Sequence, residues 1–285
     1  MTGRDIKHEK DDLLEQVRSL TPGYEALSLL KTIREHYDWA IDGYRNSLKI
    51  LKQTMYADNS HFLLELIQNA DDAQFPDGGP AELRFTIYDG QIELFYNEKG
   101  FSLDDIIAIT DTGSSTKINR KNTAHSFIGE KGIGFKSVFS LASEVEIESY
   151  PWHFILRDEQ ERFIIPEPVR DETAVERNGT TLRIRFKKQK DLAHVANVIK
   201  GYVDANGIES FLFLQRLSKF TVVDLRDNQE DVIGIEIEPF DRSSDFAKIH
   251  FIDTDTYYEY CLYHEDIEFP AHLVRERWEK LDHGD

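Results

Sequence analysis

A single cysteine, Cys261, among 285 residues excludes an internal disulfide and fits a reducing compartment. No run approaches the ~20 consecutive apolar residues that a bilayer span needs. Met1 to Lys10 is charged and has no apolar h-region, so no secretory signal is expected. Bases are scarce: 34 Lys and Arg stand against 53 Asp and Glu, a formal charge of −19. Sequence-independent binding to nucleic acid or to an anionic membrane needs clustered bases, so neither is expected as a partner. The histidines at 36, 61, 125, 153, 194, 250 and 264 show no metal-ligand spacing. What is present is 40% hydrophobic and 12% aromatic residues, enough for one large core or two modest ones. The expectation is a soluble intracellular protein, cytoplasmic or nuclear.

The chain is organised around DNSHFLLELIQNADDAQF, Asp58 to Phe75. Leu63, Leu66, Ile67 and Ala70 recur at i, i+3, i+4 and i+7, the apolar stripe of a helix that Asn59 or Ser60 could cap. At about 100° per residue, Glu65, Asn69 and Asp72 fall together on the opposite side. Phe62 and Leu64 flank that polar stripe, so the helix reads as covered on most of its circumference. Between Lys52 and Arg84 there is no Lys or Arg, yet Asp58, Glu65, Asp71, Asp72, Asp77 and Glu82 all lie there. A solvated face normally mixes bases with its acids. Oxygen ligands on a covered face without a cationic partner point to a cation from outside, and Mg²⁺ carrying a nucleotide is the commonest such case.

Two polar helices are predicted in the first fifty residues, KDDLLEQVRSL and YEALSLLKTIREHYDWAI, separated by the turn signal Thr21-Pro22-Gly23. They read as a packing appendage. After the Pro76-Asp77-Gly78-Gly79-Pro80 break, Leu83, Phe85 and Ile87 alternate with Arg84, Thr86 and Tyr88, and beyond Asp89-Gly90 Ile92, Leu94 and Tyr96 alternate with Glu93, Phe95 and Asn97. That pattern predicts a β-hairpin. Ser102 with Asp105 three residues on is a capping box opening the helix LDDIIAIT. Beyond Lys190, DLAHVANVIKGYVD reads as a helix, FTVVDL, VIGIEIE, KIHFID and TYYEYCLYH as strands, and PAHLVRERWEKLD as a closing helix. Tyr257 to Tyr263 is read as a largely buried strand, the alternative being an exposed aromatic edge.

Between them, DTGSSTKINRKNTAHS, Asp111 to Ser126, has no apolar periodicity and reads as a long loop. Lys117, Arg120, Lys121, Lys131 and Lys136 face one acid, Glu130, a local reversal of charge that would attract a polyphosphate. The loop runs into FIGEKGIGFKSVFSL, where Gly129, Gly132 and Gly134 precede Phe135, Val138, Phe139 and Leu141 at roughly helical spacing. Glycines before a helix let backbone N–H groups approach an anion closely. The order GxxGxG is neither the Rossmann GxGxxG nor a P-loop, since Phe135 stands between Gly134 and Lys136-Ser137.

ELIQNADDA, a hairpin, a helix, SSTK and IGEKGIGFKSVF, in that order, resemble the GHKL superfamily of ATPases. That superfamily includes the heat-shock chaperones of the ninety-kilodalton class, type II topoisomerases, MutL-type repair proteins and histidine kinases. Within it, the NADDA and GxKGIGFKSVF wording resembles the sacsin and NO VEIN-like group. The resemblance spans Tyr56 to Phe186 and extends to about Leu225. It implies a Bergerat fold: an α/β two-layer sandwich with a mixed, mainly antiparallel sheet and helices on one face. It also implies the cofactors ATP and Mg²⁺, with Glu65 as the base that orients and deprotonates the attacking water and Asn69 as the Mg²⁺ ligand. Asp72 and Ala73 would line the nucleotide floor. Gly129, Lys131, Gly132, Ile133 and Gly134, with Phe135 and Lys136, would wrap the phosphates. Residues 112–127 would form the ATP lid, with Lys117 from its Ser/Thr-Lys pair, and Thr180 would serve the adenine region. Slow Mg²⁺-dependent hydrolysis, a lid that couples nucleotide state to conformation, protein clients or further domains, and a nucleotide-dependent homodimer follow from the same likeness.

One departure stands out. The superfamily reads adenine with the Asp of Asp-x-Gly-x-Gly, whereas here the stretch is YNEKGF, where Gly100 and Phe101 match and Tyr96 stands where Asp belongs. Either Asn97 or Glu98 reaches the base by a local shift, or base recognition is altered. Asp111-Thr112-Gly113-Ser114-Ser115 also spells the active-site string of pepsin-like proteases. That chemistry needs a second such carboxylate loop, and Asp253-Thr254-Asp255 lacks the glycine, so this reading is rejected. Three parts are expected: residues 1–50 as a helical extension, 51–225 as the ATP-binding domain, and 226–285 as a β-rich extension. The competing expectation is a nucleotide-gated or non-hydrolysing scaffold.

Overall fold

A computed structural model describes residues 3–36, 61–110, 135–159, 163–170, 178–204, 207–226, 230–239, 246–252, 254 and 256–262. The elements in chain order are α1 (Gly3–Ser19), α2 (Tyr24–His36), α3 (His61–Asp71), β1 (Ala81–Ile87), β2 (Gln91–Tyr96), α4 (Leu103–Ile109), β3 (Ala142–Ser149), β4 (Trp152–Arg157), β5 (Glu167–Pro168), β6 (Thr180–Phe186), α5 (Gln189–Tyr202), β7 (Leu217–Asp224), β8 (Asp231–Glu238), β9 (Phe246–Phe251) and β10 (Tyr257–Cys261). Two 3-10 turns, Phe135–Ser140 and Ile208–Phe213, complete the set.

The strands form one sheet in the order β10-β9-β8-β7-β1-β2-β6-β3-β4-β5. Every neighbouring pair is antiparallel except β1 and β7, which run parallel with Leu83 beside Phe220. The architecture is an α/β two-layer sandwich with a mixed, mostly antiparallel sheet. The hairpin forms where its alternation predicts: Leu83, Phe85, Ile87, Ile92, Leu94 and Tyr96 all point into the core, and Tyr88 N–H closes the turn on Gln91 O at 2.9 Å. Phe85 and Phe211 both lean on the Phe220 ring, with centroids 5.4 and 4.7 Å away.

The first two helices form at the expected places and bury Val17, Ala26, Leu27, Leu30 and Ile33. They also hold α4. Arg18 meets Asp104 in its first turn at 2.5 Å, and the buried Arg34 donates to Ile107 O at 3.2 Å in its last turn. Cations at a helix C-terminus complement its partial negative charge. The capping box at the other end is complete, with Asp105 N–H donating to Ser102 Oγ and Ser102 N–H donating to Asp105 Oδ2.

Three expectations are corrected. The segment after the glycine triplet is a six-residue 3-10 turn, because β3 opens at Ala142 and leaves no room for a longer helix. Leu64 is 51% exposed, so α3 is open on that flank while Phe62 on the other is buried. Tyr257 and Tyr258 are 51% and 43% exposed, because β10 has only β9 beside it among the described residues. The segments 111–134 and 263–285, with the loop, the triplet, the protease-like string and the closing helix expected there, lie outside the described residues. No helix among the described residues is long and apolar enough to cross a membrane.

Candidate functional site

Helix α3 forms as its spacing requires. Leu63, Leu66, Ile67 and Ala70 are buried in the core, which turns Glu65, Asn69 and Asp72 together onto the opposite edge of the helix, each half-buried. Ala73 follows at the helix end, its N–H bonded to Ala70 O at 3.1 Å. The element packed against α3 is the 3-10 turn Phe135–Ser140, which begins directly after Gly134. Helix α3 and the turn that follows the glycine segment in sequence therefore meet in space, although about sixty residues of chain separate them. Phe135 is half-buried there, and Lys136 is buried at 4% exposure. Lys187 anchors the turn's last carbonyls, its ammonium 2.6 Å from Phe139 O and also paired with Asp158.

The adjoining Asp71 was not singled out in the sequence, yet it fixes the site. Its carboxylate is buried and accepts three backbone N–H groups, from Gln215, Arg216 and Leu217, each at 2.8 Å. The Arg216 guanidinium returns to Ala73 O. The end of α3 is thus bolted to the start of β7, which sets where Asp72 and Ala73 stand. Only the doubled Asp in NADDA hints at this in the sequence.

A second cluster lies at the end of β2. Both ends of the Asn97 amide are engaged by the start of β1: Oδ1 accepts Glu82 N–H at 2.7 Å, and Nδ2 donates to Pro80 O at 3.0 Å. Glu98 is buried at 5% exposure, and its Oε1 accepts the Thr180 hydroxyl at 2.6 Å. Thr180 Oγ1 also lies 2.7 Å from Ser149 Oγ, which accepts Phe101 N–H at 2.8 Å. Glu98 O accepts Gly179 N–H at 2.7 Å, which ties the loop to the strand that carries Thr180. Burial raises the Glu98 carboxyl to about 7; Thr180 and Tyr96 hydrogen bonds oppose that rise and the Asp105 charge adds to it. Burial likewise raises the Tyr96 phenol well above its usual value.

Two glycines here have left-handed backbones. Gly100 has φ +96°, and a Cβ there would sit 3.4 Å from Ser149 Oγ; Gly179 has φ +107°, and a Cβ would lie 2.6 Å from the Phe95 ring. Lys117, Gly129, Lys131, Gly132, Ile133 and Gly134 lie outside the described residues. Among the described residues no group of three or more His, Cys, Asp or Glu side chains could hold a metal ion. Mg²⁺ rarely uses such a cage: it keeps waters and takes phosphate oxygens beside one or two protein ligands.

No family model matches the chain. It is 43% identical over 108 residues to Protein NO VEIN of Arabidopsis thaliana, an alignment covering 38% of this chain and 4% of that protein. It is 27% identical over 188 residues to Chaperone protein HtpG of Paramagnetospirillum magneticum, covering 55% of this chain and 30% of that protein. The chain therefore spans less than a third of the length of either curated relative.

Proposed function

We propose, from this partial likeness to a plant NO VEIN protein and a bacterial chaperone, that the chain carries a GHKL-type ATP-binding module over residues 51–225. It would hydrolyse ATP slowly with Mg²⁺ and couple nucleotide state to conformation. The observation that carries the reading is the packing of α3 against the turn that follows Gly134. It brings the helix that carries Glu65, Asn69 and Asp72 next to the residues that follow the glycine segment in sequence, as a triphosphate held between the two would require. The paired Glu98 and Thr180 add a hydrogen-bonding group of the kind a purine edge needs.

Phosphoryl transfer asks a protein for positioning, charge compensation and water exclusion more than for covalent work. Mg²⁺, when bound with the nucleotide, would supply charge neutralisation at the phosphates. Asn69 would hold the metal through its amide oxygen, and Asp72 and Ala73 would border the base. Glu65 would orient the attacking water and accept its proton. The basic segment from Lys117 to Lys136 would hold phosphate charge and close over the site.

A cleft of about 1230 Å³ favours partner coupling as part of this function. Its walls include Gln74 and Lys99, the residues directly after Ala73 and Glu98, joined by Lys99 N–H to Gln74 O at 2.7 Å. A protein segment in the cleft would touch both loops that border the nucleotide.

The test is phosphate release by wild type and Glu65→Ala, with ATP binding followed by calorimetry. Turnover lost in the variant with binding kept supports the ATPase. Equal background release from both, despite tight binding, leaves a nucleotide-gated scaffold; no binding by folded wild type refutes the module.

A further inference from the structure

The large cleft opens at one end of five neighbouring strands, β10-β9-β8-β7-β1. Ala81 starts β1, Arg216 directly precedes β7, Glu238 ends β8, Phe246 starts β9 and Glu259 lies near the end of β10. The segment from Gln74 to Gly79 forms a further wall. At about 1230 Å³ the cleft exceeds the roughly 300–1,000 Å³ of small-molecule pockets, so a stretch of polypeptide suits it better. Its lining is apolar where Phe75, Pro76, Pro239 and Phe246 meet it. Phe246 is 66% exposed, an aromatic ring with most of its burial still to gain.

The chain leaves the sheet beside this same ring. Strand β10 pairs antiparallel with β9, so that Cys261 lies opposite Phe246 and Glu259 opposite Lys248. Leu262 still packs against the core. Residues 263–285 therefore start at the mouth of the cleft. In the helix that the sequence predicts over 270–282, Ala271, Val274, Trp278 and Leu281 recur at i, i+3, i+7 and i+10 and share one face. A helix of that length spans about 20 Å at 1.5 Å per residue. The four strand spacings from β1 to β10, at about 4.8 Å each, come to about 19 Å, so helix and cleft match in length. Residues 263–269 reach up to roughly 23 Å when extended, enough to carry the helix from β10 to any part of the cleft.

We propose that residues 263–285 fold back into the cleft and lay the Ala271–Val274–Trp278–Leu281 face of this helix on Phe246, Phe75 and Pro239. The docked segment touches Gln74 and Lys99, which directly follow Ala73 and Glu98 and are joined by the Lys99 N–H to Gln74 O bond at 2.7 Å. A nucleotide at Ala73 and Glu98 orders the same two loops. Each ligand then lowers the ordering cost of the other, so docking and nucleotide binding favour each other. This coupling, unlike the docking itself, rests on the nucleotide-site reading above.

The test uses the full chain with a benzoylphenylalanine photo-cross-linker in place of Trp278 or, separately, of Leu281, so that one position covers for a failure of the other to fold. Irradiation and peptide mass spectrometry are expected to give links, within single-chain species, to residues 74–81 or 238–248. Links confined to other parts of the chain, or no links, overturn the docking. Links found only between two chains overturn it as well, because a second copy then fills the cleft. Calorimetry with a non-hydrolysable ATP analogue and Mg²⁺ is expected to show binding to Trp278→Ala about fivefold or more weaker than to wild type. Equal affinities, with links in the cleft, overturn the coupling and leave the docking standing. Absence of binding by folded wild type, with the same links, overturns the nucleotide-site reading and the coupling while the docking stands.

Discussion

Gly179 shows how tightly single residues are set around the Glu98 cluster. Its φ of +107° is closed to most side chains, and a Cβ would meet the Phe95 ring at 2.6 Å and Tyr96 O at 3.2 Å. Gly179→Ala is expected to lower stability by about 1–3 kcal/mol in a denaturant titration and to weaken nucleotide binding, because Thr180 follows directly. Glu98 gives a pH-dependent prediction. Its carboxyl is raised from its ordinary 4.5 to about 7, so the folded state holds the proton more strongly than the unfolded chain. The stability that this provides is present below pH 4.5 and lost as pH rises through 7, a difference of roughly 3 kcal/mol. Relative to Glu98→Gln, wild type should therefore lose stability between pH 4.5 and 7 in urea titrations. A constant difference between the two proteins would contradict it. In the sequence, the resemblance and the count back from Gly100 left Asn97 or Glu98 as candidate base readers, or an altered base recognition. The hydrogen bonds that draw Asn97 to Pro80 and Glu82 depend on how β1 lies beside it, which spacing alone does not express.

Among the elements, those whose signals are local were legible. The hairpin follows from strict alternation around Asp89-Gly90, α4 from its capping box, and α3 from its apolar stripe. Contacts made from afar decided the rest. Phe135–Ser140 tightened into a 3-10 turn because the sheet claims Ala142 onward, and β10 showed its tyrosines because nothing among the described residues lies beyond it. The end of α3 is likewise set from a distance, by Asp71 reaching three N–H groups at 215–217. Asp71→Ala strands those donors, of which Leu217 is buried, Arg216 half-buried and Gln215 exposed, at about 1–3 kcal/mol for each one that water cannot reach. A loss of about 1–3 kcal/mol is expected, with faster amide exchange at Gln215, Arg216 and Leu217 than at strand β6. Unchanged exchange there would show that the clamp does not hold β7.

At the scale of the molecule, the parallel pairing of β1 with β7 is the step that makes the site. It brings residues 217–224 back beside 81–87 across nearly half of the chain and lets Asp71 clamp β7, while α3 packs against the turn that begins at Phe135. A two-layer sandwich was expected from the resemblance, and the structure has that architecture. The strand order was not readable, because no local pattern encodes a partner more than a hundred residues away. Beyond β7 the sheet continues through β8, β9 and β10, so the last described strands share one sheet with the site. The central claim is that the α3 edge and the glycine segment serve one triphosphate, with the base at Glu98 and Thr180. The most direct measurement is a crystal structure of the protein with a non-hydrolysable ATP analogue and Mg²⁺. The account predicts phosphates and metal between Asn69 and Phe135, with the purine edge against Glu98. Nucleotide density elsewhere, or an α3 edge that touches none of it, would contradict the account.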